Sequence, residues 1–346
     1  MKIAFYVYPT AFQNPGGGEV QLLKTKEYLE KRGVTIKLFD IWNDRLHDFD
    51  ILHVFGSVKD ALPMMEEAKR ARVKTVLSTI CWYSWKSAWG TYGFWKTRSA
   101  AVLRHAVKVI FPFVSSDRKR MIEMADILMP NSEMESRQLC RYFLVSNKKI
   151  CVVPNGVDPV FAAARPDAFV AKYALKKFVL CVGRIEPRKN QLSMIRALKG
   201  TDVPLVIIGD PVSHYQRYYE TCRREASSQT LFLGGMPHGS ELLISAYAAC
   251  DTFLLPTWFE TPGLAALEAG LAGAKIVITE EGATREYFRD FATYVNPSSE
   301  SDIRRKTLAT FEQKKGLQLK EHILKYFQWT EVAEQVLAAY RRLLQS

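Results

Sequence analysis

The chain has 346 residues, 48% of them hydrophobic, and a formal net charge of +12 at pH 7. Its length exceeds the usual size of one domain, so we expect two domains, each with its own core. No segment approaches the roughly eighteen apolar residues of a membrane span, and the opening MKIAFYVYPT is typical of a strand rather than a signal peptide, which predicts a cytoplasmic protein. The positive charge leaves nucleic acid, an anionic membrane surface and phosphorylated substrates open as partners.

The cysteines give no sign of a metal site or a disulfide framework. They are scattered along the chain, with no CxxC pair and no spacing typical of metal ligands. We expect most of them to be buried small hydrophobes in a reducing compartment, and we expect no bound metal. They are Cys81, Cys140, Cys151, Cys181, Cys222 and Cys250.

The first half of the chain alternates short apolar segments with helical patterns. The apolar segments predict strands, and the alternation is typical of strand-helix-strand units in a parallel sheet. A weakly periodic segment follows at residues 156–177. In chain order the predicted strands read IAFYVY, TIKLFD, DILHVF, KTVLST, DILMPN and KICVVPN.

A second series of strands begins at residue 178 and reads FVLCVG, PLVIIG, TLFLGG, DTFLLP, KIVIT and ATYVNP. Two such series predict an α/β protein with two Rossmann-like domains, residues 1–160 and 161–328. The stretch from Trp329 to Leu344 has the pattern of one amphipathic helix. Ligands of such sheets bind beyond the carboxyl ends of the strands, so each strand-to-helix turn is a candidate site.

The turn after the first strand carries consecutive glycines, Gly16, Gly17 and Gly18, at the start of a helix. Consecutive glycines let the backbone approach a phosphate and direct N–H groups at it, although a flexible turn would have the same sequence. The stretch lacks the GxGxxG spacing of a dinucleotide site, so the sequence does not favour a dehydrogenase.

The first turn of the second domain runs from Gly183 to Asn190. It places Arg184, Arg188 and Lys189 near a helix start, where the helix dipole favours acids instead. A bound anion would resolve that conflict. The alternative is a solvated basic loop, which suits Arg188 better than Arg184, because Arg184 directly follows the strand.

The stretch FETPGLAALEAG, residues 259–270, places a carboxylate on each side of a glycine turn. Glu260 precedes the predicted helix and Glu268 lies inside it. Their spacing of eight positions is slightly more than two helical turns, so both side chains could line one wall of a crevice. Between them, the N–H groups of Gly263 and Leu264 form a helix N-terminus, which suits phosphate oxygens.

Together these residues resemble the retaining nucleotide-sugar glycosyltransferases with the GT-B fold. The shared features are two glutamates separated by seven residues, and an arginine followed five residues later by a lysine. The resemblance covers most of residues 150–296 and, more loosely, the first half. It implies two domains facing a cleft and a last helix, about 329–346, that crosses back to the first domain. Further matching phrases are PNGVD at 154–158, YAACDTFLLP at 247–256, and Glu281-Gly282 with Glu286 downstream.

The resemblance implies a role for each candidate residue. Arg184 and Lys189 would bind the donor diphosphate and stabilise it as the leaving group, and Glu260 would face the transferred sugar. Glu268 would accept hydrogen bonds from the ribose hydroxyls, a task that suits a carboxylate. The other donor-binding residues would be Gly17, Gly18, Met236, Gly263 and Leu264.

By the same resemblance, the chain would be a hexosyltransferase that moves a sugar from a UDP- or GDP-sugar to a glycan or lipid-linked acceptor in cell-surface polysaccharide synthesis. Fixed cations would stabilise the leaving group, so no metal or cofactor would be needed. The DxD sequence at Asp48 and Asp50 leads into a strand, so we expect it to cap structure there. Attachment to the inner membrane face is an open alternative to a purely cytoplasmic location.

One departure from the family keeps a second function open. Relatives often carry a histidine after the strand that corresponds to KTVLST, whereas this chain reads Thr79-Ile80-Cys81-Trp82, and His105 lies on a helical pattern. The alternative is a non-catalytic protein that binds sugar nucleotides or glycans on the same fold. A nucleotide-sugar epimerase would need further catalytic acids, which the sequence does not show.

The segment 82–108 is rich in aromatic and basic residues. This composition suits an acceptor surface or an anionic membrane surface, and it equally suits a helix pair with core tryptophans. No nucleic-acid-binding motif accompanies the positive charge, so we expect no nucleic acid partner. The sequence leaves the oligomeric state open.

Overall fold

A computed structural model describes residues 1–13, 15–90, 99, 102–103 and 115–345. Its strands are β1 (Lys2–Tyr6), β2 (Thr35–Leu38), β3 (Ile51–Phe55), β4 (Lys74–Ser78), β5 (Ile127–Leu128), β6 (Val179–Val182), β7 (Leu205–Ile208), β8 (Thr230–Phe232), β9 (Thr252–Leu255), β10 (Lys275–Thr279) and β11 (Thr293–Val295). Its helices are α1 (Gly17–Glu30), α2 (Leu62–Arg70), α3 (Trp85–Gly90), α4 (Asp117–Met124), α5 (Glu133–Phe143), α6 (Asp167–Tyr173), α7 (Gln191–Leu198), α8 (Gln216–Glu225), α9 (Glu241–Ala249), α10 (Leu264–Leu271), α11 (Thr284–Phe288), α12 (Glu300–Glu312), α13 (Gln318–Tyr326) and α14 (Trp329–Gln345).

The contacts divide the chain into two compact units. Unit 1 comprises Met1–Tyr83, Arg104–Gly156 and Trp329–Ser346, and unit 2 comprises Ser84–Leu103 and Val157–Gln328, as far as these ranges are described. The main boundary therefore falls four residues before the predicted position 160. The predicted first domain includes residues 84–90, whereas the contacts of these residues place them in unit 2.

Unit 1 is built on a parallel sheet with the strand order β2-β1-β3-β4-β5. Ile3 of β1 lies between Ile36 of β2 and Ile51 of β3, and all three side chains are buried. The predicted strand KICVVPN forms no regular strand. It lies beside β5, where a single bridge joins Leu128 to Ile150 and the Cys151 N–H donates to the Leu128 carbonyl at 2.9 Å. The prediction of a sixth strand in this domain was therefore wrong.

The last helix, α14, packs against α1 within unit 1, which confirms that it returns to the first domain. A buried polar contact fixes it to the sheet: the Nδ1 atom of His53 on β3 lies 2.5 Å from the Tyr340 hydroxyl oxygen, and Nε2 lies 2.9 Å from Ser78 Oγ. Burial lowers the pKa of His53 to about 3, so the ring is neutral at physiological pH. At the point where α14 begins, a Cβ atom on Gly156 would lie 2.7 Å from the Trp329 backbone nitrogen.

Unit 2 is built on a parallel sheet with the strand order β11-β10-β9-β6-β7-β8. Every strand predicted for the second domain is present. The order runs outward in opposite directions from the neighbours β6 and β9, so the switch point of the sheet lies between them. Crevices at such switch points, beyond the carboxyl ends of the strands, are where ligands bind in this class of fold.

Other expectations from the sequence concern single residues. Asp50 lies at the amino end of β3, where its carboxylate accepts a hydrogen bond from the Lys2 backbone N–H at 2.7 Å. No disulfide joins the six cysteines, all of which are in the described part of the chain, and four of them are buried, as predicted. His105 and most of the segment 82–108 lie outside the described residues. Among the helices that the structure describes, none has the length and apolarity needed to cross a bilayer.

The buried His53 predicts a pH dependence of stability. Its pKa of about 3 in the folded chain lies below the value of about 6.5 expected in the unfolded chain, so its contribution is complete above pH ~6.5 and is lost as the pH falls toward 3. Urea unfolding at pH 7.5 and pH 5 should show a fall in the free energy of unfolding that is about 2 kcal/mol larger for the parent chain than for His53→Gln. Equal falls in the two proteins would contradict this assignment.

Candidate active site in unit 2

The turn after β6 is anchored by Asn190. Its backbone is left-handed, with φ +60°, and its buried side-chain amide donates hydrogen bonds of 2.9 Å to the carbonyls of Pro256 and Pro297. These bonds attach the turn to the segments that follow β9 and β11. The short helical turn Pro187–Lys189 directly precedes Asn190, so the cations of this turn project from a fixed backbone.

Lys189 and Glu260 form an ion pair at the switch point of the sheet. Lys189 Nζ lies 2.6 Å from Glu260 Oε1, and both side chains are largely buried. Burial lowers the pKa of Lys189 below its usual value, although the Glu260 carboxylate opposes that shift. Burial alone would raise the pKa of Glu260, but the charges of Lys189 and Arg188 outweigh it and hold that pKa below its usual range. Glu260 is therefore a carboxylate at neutral pH.

Two arginines extend this charged group. Glu186 Oε1 lies 3.0 Å from a guanidinium nitrogen of Arg188 and 3.6 Å from one of Arg184. The Arg188 guanidinium also lies 3.9 Å from Glu260 Oε1 and packs over the Phe259 ring. These contacts leave the Arg188 side chain only 24% exposed, which disfavours the alternative of a solvated loop at this residue. Arg184, at 37%, is the more accessible of the two.

The turn after β10 holds the backbone of Glu260 in place. The Glu260 N–H donates to the Glu281 carbonyl at 3.1 Å, and the Glu260 carbonyl accepts from the Ala283 N–H at 2.9 Å. Gly282 lies between them with φ +107°, and a Cβ atom there would lie 1.8 Å from the Glu260 carbonyl oxygen. Only glycine fits this close approach, so Gly282 sets the position of the Glu260 loop.

Residues from the start of α3 also reach the turn after β10. Lys86 Nζ lies 2.8 Å from a carboxylate oxygen of Glu281 and 3.3 Å from one of Glu280, and the Ser84 hydroxyl donates to Glu281 at 3.1 Å. The hydrogen bond from Lys86 to Glu281 is the main reason why the pKa of Lys86 is raised. These contacts join residues 84–90 to unit 2.

Helix α10 begins at the predicted glycine turn. Gly263 is its N-cap, with a left-handed backbone at φ +74°, and Leu264 is the first helical residue. The structure thus places Gly263 and Leu264 at a helix N-terminus that directly follows the Glu260 loop. N–H groups in the first turn of a helix and the positive end of its dipole both favour an anion there.

Glu268 forms a separate group inside α10. Both of its carboxylate oxygens are engaged: Oε1 lies 2.7 Å from His238 Nε2, and Oε2 accepts a hydrogen bond of 2.8 Å from the Tyr247 hydroxyl. Sequence reasoning missed both partners, which precede Glu268 by 30 and 21 residues. The one available signal was a histidine in the glycine-rich turn after a predicted strand, the position at which ligands of such sheets are bound.

Met236 lies half-buried in the same turn, between β8 and α9. The turn is tied to the neighbouring strand end by a hydrogen bond of 2.8 Å from the Gly235 N–H to Asp210 Oδ1. A second bond of 2.8 Å runs from the Gly209 N–H to the Gly234 carbonyl. The turns after β7 and β8 therefore form a connected surface beside the turn after β6.

The predicted donor residues Gly17 and Gly18 lie in unit 1. They begin α1, where the Glu19 carboxylate accepts a hydrogen bond of 2.7 Å from the Gly16 N–H and so caps the helix. Their role in donor binding stays a prediction. Among the described residues, no group of three or more histidine, cysteine, aspartate or glutamate side chains is arranged to hold a metal ion.

The turn at Thr79–Trp82, where relatives often carry a histidine, is held by a buried acid in unit 1. Glu135 accepts hydrogen bonds from the Thr79 hydroxyl at 2.6 Å and the Cys81 N–H at 2.7 Å. Between them Ile80 has φ +43°, a strained value for a β-branched residue. The surrounding hydrogen bonds stabilise this strained backbone.

Two known families match this chain, one in each half. The family described as Glycosyltransferase Family 4 matches residues 39–161, and the family described as Glycosyl transferases group 1 matches residues 167–325. The chain belongs to the group 1 glycosyltransferases. The match to residues 167–325 lies in unit 2, which holds the candidate site. It includes Arg184, Lys189, Glu260 and Glu268.

Two curated relatives are similar to part of this chain. The D-inositol 3-phosphate glycosyltransferase of Mycolicibacterium smegmatis is 32% identical over 181 residues, which cover 49% of this chain and 41% of that protein. The serotype-specific mannosyltransferase WbdA of Escherichia coli is 27% identical over 243 residues, which cover 65% of this chain and 30% of that protein. The chain thus spans less than half the length of these relatives.

A solved structure shows the same fold over nearly the whole chain. Anabaena HepE, determined in complex with UDP and glucose, aligns with a TM-score of 0.70 at 17% identity, covering 99% of this chain and 100% of that one. At this identity the likeness concerns the fold alone. It supports the assignment of the two parallel-sheet units to the GT-B fold.

The contact between Gly282 and the Glu260 carbonyl predicts a position that tolerates no side chain. Gly282→Ala should lower the free energy of unfolding by more than 3 kcal/mol, since a Cβ atom would add a clash to a left-handed backbone. The matched control is Gly273→Ala: its φ is +93°, but no atom lies within 4 Å of the added carbon, so we expect a loss of only about 1–2 kcal/mol. Urea unfolding of both variants measures the difference, and equal losses would contradict the role given to Gly282.

Proposed function

We propose that the chain is a retaining, metal-independent glycosyltransferase that moves a hexose from a nucleoside diphosphate sugar to a glycan or lipid-linked acceptor. Membership of the group 1 glycosyltransferases supports sugar transfer. The observation that best supports the mechanism is a group of charged side chains at the switch point of unit 2. It consists of Lys189, Arg188, Arg184 and Glu260.

The charges of this group suit a departing diphosphate. When the bond between the sugar C1 atom and the phosphate oxygen breaks, its electron pair stays on the diphosphate, and the negative charge there grows. Cations that are already fixed in place stabilise this charge without reorganising during the reaction. Here Glu186 and Glu260 hold the arginines and Lys189 in place, and the N-terminus of α10 adds N–H donors beside them.

The remaining contacts of the donor would come from the flanking turns. The Glu268 carboxylate suits the two vicinal hydroxyls of a ribose. Glu260 would face the transferred sugar, and backbone groups near Met236 would contact the base. UDP is our first candidate for the nucleotide, because the structurally similar HepE binds UDP; GDP is the second.

The acceptor and the location are proposed from two separate observations. The mannosyltransferase WbdA is named as serotype-specific, and that name supports a role in cell-surface polysaccharide synthesis. The net charge of +12 supports attachment to an anionic membrane surface.

A non-catalytic sugar-nucleotide or glycan-binding protein is the second candidate. The observation that favours it is the isoleucine-containing turn Thr79–Trp82, in place of the histidine that relatives often carry. The complete set Arg184, Lys189, Glu260 and Glu268 favours catalysis instead, because it keeps every residue to which the family resemblance gives a role in sugar transfer. Hydrolysis of the donor separates the two candidates.

The first prediction from this proposed function concerns donor binding. UDP, GDP or ADP should raise the stability of the protein, by about 2.7 kcal/mol at a hundredfold excess over its dissociation constant. Thermal-shift measurements should show this stabilisation for at least one of the three nucleotides and its loss in Arg184→Ala and Glu268→Ala. Arg305→Ala is the matched control, because it removes the same charge from an exposed position on α12. No shift with any nucleotide, or an equal loss in the control, would contradict the site.

The second prediction concerns the reaction. With the glucose conjugate of the nucleotide that binds, the protein should release α-glucose from the α-linked donor, and excess EDTA should leave the rate unchanged. Proton NMR in the first minutes distinguishes the anomers. Release of β-glucose would overturn retention, and loss of activity with EDTA would overturn metal independence. Binding without any release would favour the non-catalytic alternative.

A further inference from the structure

The buried Glu268 carboxylate is held from two sides. The His238 imidazole contacts Oε1 at 2.7 Å and the Tyr247 hydroxyl contacts Oε2 at 2.8 Å. The glutamate side chain is only 7% exposed, whereas that of His238 is 35% exposed. The histidine is thus the more exposed member of this pair.

The turn that carries His238 is fixed at both ends. On one side, the Gly235 N–H is bound to Asp210, and a Cβ atom on Gly235 would lie 2.1 Å from Asp210 Oδ2, so the two turns touch. On the other side, Gly239 has φ +76°, and Ser240 caps α9 by accepting a hydrogen bond from Leu243. Such a turn holds the imidazole at a defined place.

Tyr247 is held equally well. Its ring is fully buried and packs edge-to-face against Phe161, whose ring also lies next to His238. Burial, followed by the nearby charge of Glu268, raises the pKa of Tyr247 well above its usual value. The hydroxyl therefore keeps its proton and acts as a permanent donor to Glu268.

Each carboxylate oxygen can accept two hydrogen bonds. One bond to each oxygen is made by His238 or Tyr247, and together they fix the rotation of the carboxylate plane. This leaves one acceptor direction on each of two adjacent oxygens, a pattern that matches two hydroxyls on neighbouring carbons.

We propose that His238 and Tyr247 are positioning residues that make Glu268 selective for a ribonucleotide over a 2′-deoxyribonucleotide. The proposal rests on the proposed function, since it takes Glu268 as the ribose ligand. A carboxylate held in one orientation offers both acceptor directions to a vicinal diol at once, whereas a ligand without the 2′-hydroxyl leaves one of them unused. A carboxylate that rotates freely loses most of this discrimination.

The test compares UDP, GDP and ADP with their 2′-deoxy counterparts by calorimetric titration. The parent protein should bind the ribonucleotide about tenfold more tightly or better, the factor expected for one hydrogen bond to a charged group. In His238→Ala and Tyr247→Phe this preference should fall to about threefold or less. His238→Gln should restore it, because the glutamine amide places an N–H near the position of Nε2.

The ratio of the two affinities separates positioning from a merely structural role. If the variants weaken both ligands equally and keep the parent preference, or if the parent shows no preference, the proposal is overturned. Glu268→Gln tests the ribose-binding role of Glu268, on which the proposal rests. This variant should lose the preference for the ribonucleotide and bind the ribonucleotide more weakly. If Glu268→Gln binds the ribonucleotide as the parent does, the ribose role of Glu268 itself fails, and that result is distinct from a failure of His238 and Tyr247 alone.

Discussion

The buried ion pair between Lys189 and Glu260 is the interaction on which the candidate site depends. It joins the turn after β6 to the loop after β9, and these strands are neighbours at the switch point of the sheet. A buried carboxylate that lost its partner would destabilise the fold by several kcal/mol, so the two loops are held together. Through Gly282, the strand end after β10 joins the same arrangement. The cations are therefore fixed before any ligand enters.

The charge balance of this group follows from its structural role. Two carboxylates, Glu186 and Glu260, lie among three cations, which leaves one excess positive charge. Cations without these acids would repel one another and turn outward into solvent. The acids keep the cations close together, but they also reduce the positive electrostatic potential that the cations produce. A site for a diphosphate, whose charge increases during reaction, can tolerate that reduction.

The sequence predicted most of the fold because buried parallel strands appear as continuous apolar segments. It failed at KICVVPN, because apolar composition does not show how a segment pairs with its neighbour, and this segment makes only an isolated bridge to β5. In the candidate site, the roles of Arg184, Lys189, Glu260 and Glu268 came from the family resemblance, which rests on their spacing along the chain, and they stay predictions. The contacts of Arg188, His238 and Tyr247 were not predicted, since they join turns that are far apart in the sequence.

The passage of the chain from unit 1 into the main part of unit 2 and back has a consequence for synthesis. The chain leaves unit 1 after Gly156 and returns to it at Trp329, and these two residues are in contact. Roughly 170 residues must therefore leave the ribosome before α14 can cover α1, which takes on the order of ten seconds or more at typical elongation rates. During that time the β3 face that carries His53 lacks its partner Tyr340. The nascent first unit thus exposes apolar surface that a chaperone would recognise until translation is nearly complete.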